Sequence, residues 1–289
     1  MKKNYKIKNI SGVDINVNYY QCENPKAIFQ IIHGMQEHIE RYDDFANFLC
    51  SNGYNVILND IFGHGKSTNE EHPLGDLINF KNILNSLDDV YNSTSFNGKR
   101  IIMGHSMGSF IARSYTYLNP SDIAIFMGTG DVPDFLAKKL RFILKFKDEN
   151  SDFSIFHKII NLNFNSKIKN SNDFSWLSVN EENQKNYIND PYCGIEFKKS
   201  GFIALLDMIF SMNEKEKYKN KSKRILIISG ADDPVGNYSK GVEKIYKKYK
   251  KQNENTDLKL FENMRHEILN EKDNKKVYKF ILDYIDKYI

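Results

Sequence analysis

Three residues in this chain could together make an activated nucleophile. Ser106 stands at the centre of Gly104-His105-Ser106-Met107-Gly108, a G-x-S-x-G pattern, and farther on come Asp232-Asp233-Pro234 and Asn263-Met264-Arg265-His266-Glu267. A serine hydroxyl is a weak nucleophile until a base takes its proton, and a histidine base needs a carboxylate to fix its tautomer and balance its charge. Of seven histidines only His157 and His266 follow Ser106, and His266 is the candidate base because His157 falls in a segment of different character. Spacing alone leaves Asp232 and Asp233 equivalent as the acid.

Each candidate has a plainer reading. A serine between glycines can merely cap a helix, and a carboxylate just after a strand is commonly an Asx turn. Context favours chemistry. Arg100 to Met103 reads as a buried strand ending at Gly104, and Met107, Phe110, Ile111, Tyr115 and Leu118 then fall at helical spacing. A strand, a tight turn and a helix lift the hydroxyl clear of the sheet and aim free helix amides at the same spot. Side chains two positions either side of the serine would collide in such a turn, so glycine is required at both.

An attacked carbonyl also develops negative charge, which two backbone amides would hold. Met107, directly after the serine, supplies one, and the loop opening His33-Gly34-Met35-Gln36-Glu37-His38 supplies the other through the amide of Met35. His33 and His38 show no HExxH spacing or Cys/His pairing, so no metal is expected, and no organic cofactor is needed.

The elements that must carry these residues alternate. Val13 to Tyr19 reads as a half-exposed strand at the sheet's edge and Ala27 to Ile32 as a buried strand; a helix over Tyr42 to Leu49 ends at Asn52-Gly53, before strand Tyr54 to Leu58. A helix from Leu77 to Tyr91, strands at Arg100 to Met103, Ile123 to Met127, Arg224 to Ile228 and Leu258 to Phe261, and a helix from Lys272 to Tyr288 continue the pattern. This predicts an α/β fold with a mostly parallel, doubly wound sheet, built from residues 1–130 and 223–289. Between 131 and 222 the alternation stops and the text turns helical, aromatic and rich in Lys and Asn, which predicts an inserted helical cap. Trp176 and Cys193 are expected to pack within it.

In the cap, Phe135, Leu136, Leu140, Phe142, Ile143, Leu144 and Phe146 are interleaved with Lys138, Lys139, Arg141, Lys145 and Lys147. Such a stretch could line an acyl tunnel, rest on an anionic membrane surface or pack on the core. An apolar cap over a serine favours a hydrophobic acyl ester, since each methylene buried contributes about 0.8 kcal/mol. No charged clamp for a peptide's amino end is evident.

Bulk properties exclude several classes. Across 289 residues, 41 basic against 37 acidic side chains give a net charge of only +4, with the lysines dispersed, unlike the concentrated basic face of a nucleic-acid reader. The segment Met1 to Asn9 lacks the apolar region of a signal peptide, and the longest apolar run, Gly201 to Phe210, is too short to span a bilayer. Three widely separated cysteines, Cys22, Cys50 and Cys193, suit reduced thiols. A cytoplasmic protein, with peripheral membrane contact through its cap, is the expectation.

Taken together, the motifs resemble those of the α/β-hydrolase superfamily, in particular its monoacylglycerol lipase and lysophospholipase branch, grouped with serine aminopeptidase S33-like hydrolases. His33 to His38 with Arg41-Tyr42 is similar to that branch's HGxxEHxxRY oxyanion loop, Asp60 to Ser67 to its DxxGHGxS loop, Gly230 to Pro234 to its GxxDP loop, and Arg265-His266-Glu267 to its RHE. Asn189 to Gly194 in the cap is similar to bacterial members. The resemblance spans nearly the whole chain and implies that Asp233 is the acid, with Asp60 structural, holding the Gly63 to Gly65 turn. Met35-Gln36 departs from the small-residue, glycine pair usual in that loop, which implies a stiffer loop. The implied activity is hydrolysis of acyl esters such as monoacylglycerols or lysophospholipids. An aminopeptidase or amidase of the same fold is the alternative, and a non-catalytic binding protein on this scaffold the third reading.

Overall fold

The computed structural model describes residues 1–9, 11–149, 151–169 and 171–289. Among these, eight strands form one sheet: β1 (Lys2–Ile7), β2 (Ile15–Tyr20), β3 (Ala27–Ile32), β4 (Tyr54–Asn59), β5 (Arg100–His105), β6 (Ile123–Met127), β7 (Arg224–Gly230) and β8 (Thr256–Phe261). Their spatial order is β1-β2-β4-β3-β5-β6-β7-β8. β2 pairs antiparallel with both β1 and β4, and all other pairings are parallel. The helices are α1 (Asp43–Ser51), α2 (Phe80–Asn92), α3 (Met107–Leu118), α4 (Asp134–Leu144), α5 (Ser154–Asn165), α6 (Glu181–Asn189), α7 (Lys199–Lys215), α8 (Lys240–Gln252) and α9 (Asn274–Tyr288). Helices α4 to α7 fill the interval between β6 and β7.

The near-continuous apolar strands are explained by burial on both faces. Because side chains alternate, Ile28, Ile32, Ile102, Ala124, Phe126, Ile225 and Ile227 join a core with residues of α2, α3, α7 and α8. Phe29, Ile31, Ile101, Met103, Ile123, Ile125, Leu226 and Ile228 join a second core with α1 and α9.

Two expectations at the sheet's start are corrected. The strand that alternates Ile15, Asn16, Val17, Asn18 is buried along its whole length rather than half-exposed. Its asparagines face a partner, not water: Asn4 Nδ2 donates to Asn16 Oδ1 at 3.0 Å and to Asn18 Oδ1 at 2.8 Å. The true edge is β1, whose Lys2, Lys3 and Lys6 are the charged residues that discourage edge-to-edge pairing. The second helix starts at Phe80, three residues later than its apolar pattern suggests, because Asn79 caps it by accepting the Asn82 amide at 2.9 Å.

Every loop of interest leaves the carboxyl end of a parallel strand, where open α/β sheets place their sites. Ile32 of β3 lies opposite Gly104 of β5, so the loop begun by His33 and the turn holding Ser106 emerge side by side.

Candidate active site

Ser106 occupies a backbone conformation that L-residues avoid, with φ 52° and ψ −120°. Its neighbours enforce it. A Cβ on Gly104 would strike the backbone oxygen of Gly108, and one on Gly108 would strike the oxygen of Ile32. The Ser106 amide donates to the Met127 oxygen at 2.9 Å, tying the turn to β6. Met107 is the first residue of α3, where a helical amide has no partner inside the helix.

Asp233 and His266 meet after β7 and β8. His266 Nδ1 lies 3.0 Å from Asp233 Oδ2, and the same carboxylate accepts from Ser229 Oγ at 3.0 Å and from the Val235 amide at 2.9 Å. Burial alone would raise the Asp233 pKa, but His266 and these donors outweigh it and hold the carboxyl below its ordinary value. Asp232, one position earlier, is exposed to solvent. The other ring nitrogen of His266, Nε2, is buried and has no hydrogen-bond partner. Ring and serine line one cavity.

Two features of the His266 setting have no local signal in the sequence. Gly128, at the end of β6, leaves room for the ring: a Cβ there would lie 3.1 Å from His266 Cε1. His105, an unspecified position inside G-x-S-x-G, sits with its ring centroid 4.8 Å from that of His266. Burial would lower its pKa, yet the Glu37 carboxylate raises it above the ordinary value. Both its nitrogens face oxygens, Nδ1 at 2.8 Å from Glu37 Oε1 and Nε2 at 3.3 Å from the His266 carbonyl.

The loop after β3 is held by side chains. His33 Nε2 accepts the Ile61 amide at 2.9 Å, so Nδ1 carries the proton and donates to the Gly34 carbonyl at 2.8 Å. In a trans peptide the carbonyl and the following N–H point opposite ways, so this bond turns the Met35 amide away from His33. Glu37 Oε1 accepts from the Gly34 amide at 2.5 Å and from Tyr42 Oη at 2.8 Å. A Cβ on Gly34 would lie 3.1 Å from Ser106 Cβ, which measures how closely this loop approaches the serine. Arg41 bridges Glu37, at 3.2 Å, to both carboxylate oxygens of Glu267, joining the loop to the residue after His266.

Asp60 accepts the Lys66 amide at 2.9 Å just after the glycine turn and the Ile39 amide at 3.0 Å, so it braces two loops. His38 Nε2 is 2.8 Å from Asp190 Oδ2, and Cys193 completes a group whose donor atoms lie within 4.8 Å of one another, the arrangement among the described residues that could hold a metal ion. His157, the other histidine after Ser106, does not line the cavity at the serine and accepts the Phe197 amide.

A cavity of about 540 Å³ opens over Ser106 and His266. Its floor includes Met35 and Met107, and its walls are mostly apolar: Phe110, Leu136, Ile160, Phe164, Trp176, Leu177, Leu205, Ile209 and Val235. Trp176 packs 4.9 Å from Phe164 of α5 between centroids, and the His266 ring lies on it at 5.1 Å. The apolar stripe of α4 is divided. Leu136 lines the cavity, Ala137 and Leu144 are buried, and Phe135, Phe142, Ile143 and Phe146 are exposed.

This sheet, with its elbow after the fifth strand and helices inserted after the sixth, defines an α/β-hydrolase. A family model described as serine aminopeptidase, S33, matches residues 23–273, and the chain belongs to that family. Among curated proteins it is similar to phospholipase YtpA of Bacillus subtilis, 29% identical over 94 residues, or 32% of this chain and 35% of that protein. It is also similar to the monoacylglycerol lipase of Mycolicibacterium smegmatis, 28% identical over 122 residues, or 42% of this chain and 44% of that protein. The matched stretches thus span less than half of either relative. A carboxyl esterase from Bacillus coagulans, solved in complex with glycerol, superposes with a TM-score of 0.89 at 23% identity, covering 99% of this chain and 98% of that one, which is a likeness of fold.

Proposed function

We propose that this chain hydrolyses carboxylic esters with an apolar acyl group, of the monoacylglycerol or lysophospholipid kind. Ser106 would attack, His266 Nε2 would take its proton and later deliver it to the departing alcohol, Asp233 would orient the ring, and the Met35 and Met107 amides would hold the oxyanion. Water activated by the same imidazole would then release the acyl enzyme. The observation that carries this reading is the unpartnered Nε2 of His266, buried in the cavity that also holds a serine of forbidden backbone geometry. An imidazole nitrogen left without a partner while the other is fixed by a buried carboxylate is poised to accept a proton.

The cavity supports the choice of substrate, since its walls can bury methylenes and the carboxylates that line it, Glu37, Glu267 and Asp131, are already paired with His105, Arg41 and Lys244. An aminopeptidase would want a free carboxylate for the substrate's ammonium group. Residues 131–222 act in this reading as a cap, and the exposed Phe135, Phe142 and Phe146 among lysines would rest it on an anionic membrane surface from the cytoplasmic side. The free thiols fit that compartment.

The test is turnover of p-nitrophenyl esters, monoacylglycerols and lysophospholipids of graded chain length, beside amino-acid anilides, with Ser106→Ala as control. Ester turnover that rises with acyl length and vanishes in Ser106→Ala is expected. Faster anilide turnover would turn the reading to an aminopeptidase, and failure of a fluorophosphonate to label Ser106 would leave a binding protein.

A further inference from the structure

The loop that carries the Met35 amide also holds a strained residue. Gln36 is a buried, non-glycine residue at φ 61°, a left-handed conformation that side-chain-bearing residues avoid. Such outliers persist where the surroundings over-determine them, and here they do. The Gln36 amide donates to His64 Nε2 at 3.3 Å. Its carbonyl accepts from Tyr187 Oη at 2.8 Å, in α6, and from the Gly194 amide at 2.9 Å. Its side-chain Nε2 donates to the Ile195 carbonyl at 2.6 Å and lies 2.9 Å from His157 Nδ1, in α5. One residue of the core loop therefore holds three separate pieces of the inserted segment.

Helix α5 is also a cavity wall. Ile160, Asn163 and Phe164, one to two turns beyond His157, face the space above the serine. The joint at His157 is not fully satisfied: the Phe197 amide donates to Nε2 at 2.8 Å while the Gln36 amide group faces Nδ1, and a neutral ring accepts at one nitrogen only. Burial pushes the His157 pKa down to about 4, so the ring stays neutral and the mismatch persists. Either ring tautomer leaves one contact short, which makes this a joint that small movements of α5 can re-pair.

We propose that Gln36 is a positioning residue that couples the α5 wall of the acyl cavity to the loop bearing the Met35 amide, so that the chain occupying the cavity sets how well the oxyanion is held. The inference rests on the oxyanion role given to Met35 above. A long acyl chain pressing on Ile160 and Phe164 moves α5, His157 follows, and Gln36 transmits the displacement to the adjoining peptide. A short chain does not reach the lever.

Gln36→Gly removes the side-chain contacts and the φ penalty together. With rates normalised to fluorophosphonate-titrated sites, kcat on long-chain esters should fall about tenfold, a fraction of the 10²–10³ lost when an oxyanion donor is removed outright. KM on short esters should stay within twofold, and the rise of kcat with chain length should flatten. His157→Leu should act in the same way, and the double variant should be no worse than either single one, the sign of a shared path. Wild-type kcat per titrated site with an intact length profile, or losses that multiply in the double variant, would overturn the coupling. If Gln36→Gly does not fold, wild-type protein answers instead through hydrogen exchange after labelling with short-chain and long-chain alkyl fluorophosphonates. The long adduct should change exchange in both α5 and residues 35–38; a change confined to α5 would defeat the proposal. Absence of labelling in the wild type would instead strike the hydrolase reading itself.

Discussion

Two loops that emerge side by side from β3 and β5 are made rigid in opposite ways. The turn after β5 is fixed by what it lacks: Gly104 and Gly108 have no side chains because backbone atoms fill the places where a Cβ would stand. The loop after β3 is fixed by what it has, with His33, Gln36, Glu37 and the nearby His64 each satisfying a backbone group. The first arrangement fails when atoms are added, the second when hydrogen-bonding partners are taken away. It follows that the turn is a stiff support for Ser106, while the loop can be tuned by whatever its side chains touch, the inserted helical segment included.

The sharpest way to break that contrast is Gly108→Ala, one methyl directed at the Ile32 oxygen between the two loops. Gly108 lies in α3 and Ile32 in β3, so relief requires parting that helix from the strand, and fluorophosphonate labelling of Ser106 should disappear, with soluble protein lost or its melting temperature strongly lowered. A variant that labels normally would show the elbow to be far softer than its contacts imply. Next in size, Asp233→Asn should lower kcat about 10⁴-fold, the loss known when a triad carboxylate becomes an amide. Asp232→Asn should stay within a few-fold of wild type, since that side chain is exposed. Kinetics of the pair in the opposite order would move the acid by one residue. Smaller again, Glu37→Gln removes the charge that anchors His105, Tyr42 and the Gly34 amide. A loss in kcat of about 10- to 100-fold with little change in KM is expected, because the loop is loosened without opening the cavity; an effect on KM alone would place Glu37 in substrate binding.

The same contrast explains what could be read from the sequence. Steric requirements write themselves in glycines and in apolar runs, so the elbow at Ser106, the parallel strands and the inserted helical segment were all legible. Polar satisfaction leaves fainter marks. The asparagines of β2 look like a water-facing row until β1 supplies Asn4 to pair them, and β1 itself is concealed by its lysines. His105 occupies a position that its motif leaves free, yet it binds the carbonyl of His266, and nothing local announces a contact 161 residues away. Asp232 and Asp233 could be separated only by resemblance, because the direction in which the chain turns after β7 is a property of the fold. Gly128 is one glycine among 16, and only its place beneath the His266 ring distinguishes it.

The smallest expected effect concerns pH, and it probes the side-chain-built loop alone. His105 is enclosed by Glu37, Tyr42 and the His266 ring, and the Glu37 carboxylate raises its pKa above 6.5 against the opposing pull of burial. A group whose folded pKa is raised stabilises the fold fully below its ordinary value and loses that contribution as pH climbs through the folded one. Glu37 and Asp233 behave inversely: His105 and Arg41 for the first, His266 for the second, hold them below 4.5 and 3.8 despite burial, so their contribution is present above those values and is lost in acid. Burial also holds His33, His64 and His157 below 6.5, which costs stability as pH falls beneath that value, so stability should peak between 6.5 and the raised His105 value and decline on the alkaline side by a few degrees in melting temperature, the scale on which about 1 kcal/mol acts in a chain of this length. His105→Gln keeps a donor toward Glu37 but cannot titrate, so its alkaline decline should vanish while its acid limb remains. Equal alkaline declines in the two proteins would mean that the imidazolium does not hold this loop, and that the elbow alone keeps the His266 carbonyl in place.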